Sequence, residues 1–197
     1  MGEVRNDAVS NLLCALTVAG HFHIPEVLVV FDNLLMRANR TTKSSASSIS
    51  TFQSPNYSVL GTLGLKIDIK WELVRPCKNH LPTIFHSLTE QVGLLKLTPF
   101  GVPVEQKTKF MVIESYGAGN VPTGGPFHEW LTQNAQKKES ERILIVNISQ
   151  VYSSLVLSIY ATGYEALQLG LVSGGDMTCE AAVAKLSFLA SRGMTRE

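Results

Sequence analysis

Two short segments carry side chains whose types and spacing could do chemistry. The first is Arg37-Ala-Asn-Arg-Thr-Thr-Lys43, where a lysine directly follows two threonine hydroxyls. A lysine packed among hydroxyls can hold a depressed pKa and help activate a nucleophile. The same pattern also describes a solvated surface lysine. The second is Ser115-Tyr-Gly-Ala-Gly-Asn120, a glycine-rich turn at the end of an apolar run. A side-chain amide at Asn120 could bind a carboxylate or amide ligand. Equally, asparagine tolerates the left-handed backbone that such turns demand. A third segment, Asp176-Met-Thr-Cys-Glu180, reads as an ordinary helix N-terminus.

Other chemistries find little footing. There is no Gly-x-Ser-x-Gly elbow and no Gly-x-x-x-x-Gly-Lys-Ser/Thr loop. Gly117-Ala-Gly119 opens like a dinucleotide fingerprint, but Pro122 stands where the third glycine belongs. Cys14, Cys77 and Cys179 are odd in number and widely spaced, which argues against a disulfide framework or a zinc site. No metal and no cofactor are expected. Lys+Arg is 17 against Asp+Glu 16, so bulk charge does not point to nucleic acid or an acidic membrane surface. Neither a bilayer-length apolar run nor a secretory leader pattern is present, and reduced thiols suit a cytoplasmic setting.

These segments need a scaffold. Charged residues are 17% of the 197 and apolar residues 45%, enough to build a sizeable core. Val9, Leu12, Leu13, Leu16 and Ala19 recur at helical spacing, with Asn6 or Asp7 as a cap and Gly20 as a stop. Val27–Phe31 is short, apolar and β-branched, as buried parallel strands are. The serine-rich run after Lys43 reads as a linker or as an ordered loop near a site. Residues 65–71 alternate as a half-exposed strand. Strands at 92–97, 110–113 and 143–146 alternate with helices beginning near Pro126, Gly163 and Thr178, the last closed by Gly193. This rhythm predicts an α/β fold with a mainly parallel sheet. Ligand sites in such sheets lie beyond the carboxyl ends of the strands.

Taken together, the segments resemble the L-asparaginase family in its type I, cytosolic branch. Arg37-Ala-Asn-Arg-Thr-Thr-Lys43, Phe52-Gln-Ser-Pro-Asn56, Ser115-Tyr-Gly-Ala-Gly-Asn120, Tyr160-Ala-Thr-Gly163, Asp176-Met-Thr-x-Glu-Ala-Ala182 and the opening Arg5-Asn-Asp-Ala-x-x-Asn-Leu-Leu13 fall in family order. The resemblance implies a partial N-terminal parallel-sheet domain over 1–75, a linker over 76–91 and a smaller C-terminal parallel α/β domain over 92–197. It implies hydrolysis of asparagine to aspartate and ammonia through a threonine nucleophile, without metal or cofactor. Lys43 matches the family's catalytic lysine. Asn120 matches a substrate-binding asparagine that reaches toward a neighbouring subunit, so a homo-oligomer is implied for the complete protein.

The chain also departs from the family. Neither the Thr-Gly-Gly-Thr-Ile-like strand end nor the Gly-Thr-Asp-Thr motif occurs. The resemblance therefore covers the end of the N-terminal domain and the C-terminal domain. It implies a truncated form that is inactive alone, with the Val27–Phe31 strand left at an exposed edge. Ala38 stands where the family has glycine, the stretch between Pro103 and Ile113 is shortened, and Val151 stands where cysteine is frequent. The alternative expectation is a non-catalytic paralogue serving as an amino-acid-binding or subunit-contact scaffold. A lysophospholipase-type activity lacks the serine elbow it would need.

Overall fold

The computed structural model describes residues 6–77, 88, 91–99, 108–156 and 161–193. Two compact units divide the chain, Met1–Thr83 and Ile84–Glu197. The linker expected over 76–91 falls mostly outside the described residues, as does the first part of the shortened stretch, 103–107.

The first unit begins with helix α1, Ala8–His21; Asp7 precedes it without a side-chain bond to a helix amide, and its carboxylate accepts from Asn11 Nδ2 at 2.8 Å. Gly20 does not end the helix as expected. His21 does, because Phe22 then leaves in extended backbone, and Phe22 and Ile24 pack on the core of Val18, Leu35, Leu60, Leu63 and Ile69. Burying each such side chain is worth about 1.5–3 kcal/mol.

Strand β1 is Leu28–Phe31 and β2 is Leu34–Arg37. Asp32 (φ 48°) and Asn33 (φ 58°) form the two-residue turn between them. Both central residues have positive φ, the geometry that matches strand twist in tight hairpins. The α1 side chain Asn11 braces this turn through Oδ1, which accepts from Asp32 N at 3.1 Å.

The hairpin corrects the expectation of a parallel strand at Val27–Phe31. Two residues of chain cannot make a parallel crossover, so β1 and β2 pair antiparallel, Phe31 against Leu34. Short strands β3 (Thr42–Lys43) and β4 (Phe52–Gln53) pair with each other. Strands β5 (Gly61–Leu63) and β6 (Ile67–Ile69) extend the first sheet, in the order β1-β2-β5-β6. Every described pairing in this unit is antiparallel, so the N-terminal parallel sheet is not what the described residues form.

The second unit supplies the parallel sheet and makes the chain α/β. Strands β7 (Val92–Lys96), β8 (Phe110–Ser115), β9 (Leu144–Ser149) and β10 (Val172–Ser173) run parallel in the order β10-β9-β8-β7. Side chains alternate between the faces. Met111, Ile113 and Ile145 face α2 (Gly125–Gln136) and α3 (Ala161–Gln168), where Phe127, Leu131 and Ala166 are buried. Val112, Val146 and Ile148 face α4 (Cys179–Ser191), through Ala182 and Leu186. Both faces are thus covered, as a parallel sheet requires. Thr178 caps α4, its hydroxyl accepting from Ala181 N at 3.3 Å. Gly193 (φ 67°) follows the last turn.

Candidate active site

In the first unit the lysine motif is built around Arg37, the last residue of β2. Its side chain is 5% exposed and that of Glu26 is 6%. Arg37 Nε donates to Glu26 Oε2, and Arg37 Nη2 donates to Glu26 Oε1 at 2.9 Å and to the Leu73 carbonyl at 2.8 Å. Glu26 Oε1 also accepts from Arg75 N at 2.8 Å. A bidentate guanidinium–carboxylate pair with its remaining lone pairs used is the arrangement that buried charge needs. The Arg37 bond and the Arg75 amide hold the Glu26 carboxyl below the ordinary range, against the opposing effect of burial.

The same guanidinium lies 4.5 Å from the Tyr57 ring centroid, and that of Arg40 lies 5.5 Å from it. Arg40 Nη2 donates to the Asn56 carbonyl at 3.1 Å, and Ser54 Oγ to the Tyr57 carbonyl at 2.8 Å. Thr41 Oγ1 donates to the Arg37 carbonyl at 2.8 Å. Residues 37–43 and 52–57, two of the sequence motifs, are therefore clamped together.

Lys43 sits on β3 opposite Phe52 of β4, with Nζ 5.8 Å from the Phe52 ring centroid. Phe52 in turn meets Phe31 edge-on at 5.1 Å. Lys43 is exposed, as the solvated-lysine reading of the sequence expects, and its side chain lies over an aromatic face. The serine-rich run is an ordered hairpin loop. Ser44 N donates to the Thr51 carbonyl at 2.8 Å, and Ser45 Oγ accepts from Ser48 N at 3.0 Å.

In the second unit, Asn120 closes the turn after β8. Tyr116 N donates to the Asn120 carbonyl at 3.0 Å, and Asn120 N to the Tyr116 carbonyl at 2.8 Å. The positive backbone angles fall on Gly117 (φ 50°) and Gly119 (φ 105°), so Asn120 is not there to supply a left-handed residue. The turn is buttressed from β9. Asn147 Nδ2 donates to the Gly119 carbonyl at 2.9 Å, and Ser149 Oγ to the Gly117 carbonyl at 2.5 Å. Asn147 is 3% exposed, and its Oδ1 has no partner among the described residues. The sequence reading ended the strand at Val146 and missed this role for Asn147. The strand runs on to Ser149, and an asparagine at the carboxyl end of a buried strand was the available signal.

Gly119 also has no room for a side chain. A Cβ there would lie 2.5 Å from Val156 Cγ1. Gly119→Ala is expected to cost about 1–3 kcal/mol through the backbone angle and the clash. A urea midpoint shift with an unchanged slope checks this.

Lys43 and Asn120 thus lie on different units, the first on strand β3 and the second on the turn after β8. The Asp176–Glu180 segment is the cap of α4, as expected. Beside it, burial and the neighbouring Glu114 push the Cys179 thiol up to about 11. Cys77 is exposed. Iodoacetamide is expected to alkylate exposed Cys77 well before Cys179, whose surroundings disfavour the reactive thiolate. Peptide mapping over time reads the ratio. Among the described residues no group of three His, Cys, Asp or Glu is placed to hold a metal ion. No described helix is long and apolar enough to cross a membrane.

Residues 1–75 match the family described as "Asparaginase, N-terminal", and residues 100–197 match "Glutaminase/Asparaginase C-terminal domain". L-asparaginase 1 of Escherichia coli (strain K12) is 35% identical over 100% of this chain and 59% of its own length. The 60 kDa lysophospholipase of Mus musculus is 40% identical over 93% of this chain and 33% of its own. The solved thermostable L-asparaginase from Thermococcus kodakarensis superposes with a TM-score of 0.84 at 30% identity, covering 100% of this chain and 59% of that one. The chain spans between a third and three-fifths of the length of these relatives. Two family domains in order and a shared fold over its whole length show that the chain belongs to the L-asparaginase family.

Proposed function

We propose that the chain is part of an amidohydrolase that converts asparagine to aspartate and ammonia. In this reading Lys43 is the proton-handling residue beside a nucleophilic hydroxyl, and Asn120 is a substrate-binding amide. The observation that carries the reading is the clamped pair of motifs around Tyr57, which presents Lys43 on a fixed two-residue strand in a chain of this family. Neither threonine motif of the family is in the sequence, and the reading assigns the acyl-accepting hydroxyl to none of these 197 residues. The expected setting is cytoplasmic, with a homo-oligomer for the complete protein.

The mammalian relatives bearing the lysophospholipase name favour a second reading, hydrolysis of a lysophospholipid ester. Both reactions are acyl transfers to a hydroxyl and could share a lysine-assisted nucleophile. A third reading keeps the scaffold for amino-acid binding or subunit contact without turnover. The test is ammonia release from asparagine and fatty-acid release from lysophosphatidylcholine. It is run on this chain and on a longer polypeptide in which the two threonine motifs precede it. The expected result is background for this chain and asparagine turnover for the longer one. Ester cleavage alone supports the second reading, and aspartate binding with no turnover in either form supports the third.

A further inference from the structure

Strands β3 and β4 meet at two positions, Thr42 against Gln53 and Lys43 against Phe52. A ladder that short does not hold its own geometry. Beyond Lys43 the hairpin is closed by Ser44 N, which donates to the Thr51 carbonyl at 2.8 Å. At the other end the chain enters β3 from a 3-10 turn, Ala38–Arg40, and leaves β4 through residues 54–57. The aim of the Lys43 side chain therefore depends on what joins that turn to that exit.

Tyr57 makes that join. Its ring centroid lies 4.5 Å from the guanidinium of Arg37, which precedes the turn, and 5.5 Å from that of Arg40, which ends it. A guanidinium within about 6 Å of an aromatic centroid is attracted to the ring. Arg37 is itself anchored by Glu26 and the Leu73 carbonyl, and Arg40 is bonded to the Asn56 carbonyl at the same exit. Tyr57 is half-buried and packs on the core of the first unit. The ring thus fastens both ends of the turn to the core. The hydroxyl is secondary: Glu26 does most to keep Arg37 charged against burial, and the Tyr57 hydroxyl adds less. A leucine in this place would keep the apolar packing and lose the face that attracts the two cations.

We propose that Tyr57 is a positioning residue for Lys43: its ring, between Arg37 and Arg40, sets the turn that aims β3 and so holds the ammonium over Phe52. Phe52 meets the lysine from the paired strand, with Nζ 5.8 Å from its ring centroid. Tyr57 acts from five residues farther along, through the turn. That the held ammonium handles a proton rests on the amidohydrolase reading above; that it is held does not.

The test is a nuclear magnetic resonance spectrum of the full 197-residue chain with carbon-13-labelled lysine and leucine. The Lys43 ε-methylene signal is expected upfield of the other lysines, because the side chain lies over the Phe52 ring. Lys43→Arg identifies that signal by its absence, and Phe52→Leu defines complete loss of the displacement. Tyr57→Leu is expected to lose most of the displacement and Tyr57→Phe to keep it. The methyl signals of fully buried Leu35 and Leu60 are expected to stay in place in both. Arg40→Met leaves Tyr57 in the core and is expected to lose part of the displacement; it decides the matter if Tyr57→Leu disturbs the core signals. In the longer polypeptide with both threonine motifs, Tyr57→Leu is expected to lower kcat by up to about 10²-fold at unchanged KM, the cost of an ångström's misplacement, and Tyr57→Phe to restore it. The proposal is overturned by a parent signal that is not displaced, by displacement that survives Arg40→Met together with Tyr57→Leu, or by Tyr57→Phe losing as much as Tyr57→Leu. Absence of turnover in the longer parent polypeptide overturns the amidohydrolase reading instead, and the lysine signal still decides this one.

Discussion

Arg37→Ala is expected to destabilise the first unit by about 3–5 kcal/mol, the range for breaking a buried ion pair from one side. The substitution strands the Glu26 carboxylate at 6% exposure, removes a donor from the Leu73 carbonyl and takes away one of the two guanidinium groups against Tyr57. For a unit of this size each kcal/mol moves the melting temperature by about 4–8 °C. A differential scanning trace is therefore expected to separate into an early transition for the first unit and an unshifted one for the second. A single transition moved by less than a few degrees would show that the pair contributes little.

The pH dependence has a definite sign. The Glu26 carboxyl is held below its ordinary range in the folded chain, chiefly by its hydrogen bonds to Arg37. Its contribution is fully present above the unfolded-state value, about 4.3. It is lost as pH falls through the depressed folded-state value. Glu26→Gln keeps the shape and removes the titration. The gap between the parent and this variant is expected to be widest near neutral pH and to close under acid, which urea midpoints at pH 7 and pH 3 will read. Replacing both partners, Glu26→Leu with Arg37→Met, is expected to cost less than Arg37→Ala alone. No unpaired charge then remains, although the Leu73 carbonyl loses its donor.

Lys43→Ala is expected to reduce asparagine turnover of the longer, motif-complete polypeptide by about 10²–10⁴-fold. That is the usual contribution of a positioned proton-transfer group. The fold should be untouched, because Lys43 is exposed and its side chain lies over the Phe52 ring at the surface. The loss is expected mainly in kcat, since the residue acts on the reacting hydroxyl and not on substrate held elsewhere. Lys43→Arg is expected to restore little. Its guanidinium holds its proton throughout the working pH range and cannot act as a base. Full activity in Lys43→Ala would remove the residue from the mechanism.

Phe52 offers a control on geometry. The Phe31–Phe52 edge contact anchors β4 to β1, and β4 holds Lys43 in register. Changes at Phe52 should disturb kcat through position and melting temperature through packing together, whereas Lys43→Ala should change kcat alone.

Much of the second unit was legible because local patterns and burial agree there. A strand buried on both faces has to be apolar throughout, and Phe110–Ile113 and Ile143–Val146 are. A helix on such a sheet has to show one stripe, and Ala182, Val183 and Leu186 form it. Proline in the first turn of α2 and threonine at the cap of α4 are direct consequences of the unsatisfied amides at helix starts.

The first unit was harder to read. The short apolar run at Val27–Phe31 has the same composition whether its neighbour is parallel or antiparallel. The turn that decides between them is two residues long. Asp32-Asn33 between two apolar runs was the signal for a hairpin, because these residue types accept positive φ.

What the residues determined unaided was local and additive: helix caps, strand faces, the α/β alternation of the second half, and motifs whose order marks the family. Three things depended on distance through space. Glu26 and Arg37 are eleven positions apart, and the carbonyl that completes their network is at Leu73, so no short window contains the pair. Asn147 reaches Gly119 only because β8 and β9 are neighbours in the sheet. The apolar residues of α1 divide into a buried face and an exposed one only once the sheet has chosen a side of the helix. Periodicity shows that a helix has apolar faces, but which face is covered is decided by what packs against it, and packing is a property of the whole chain.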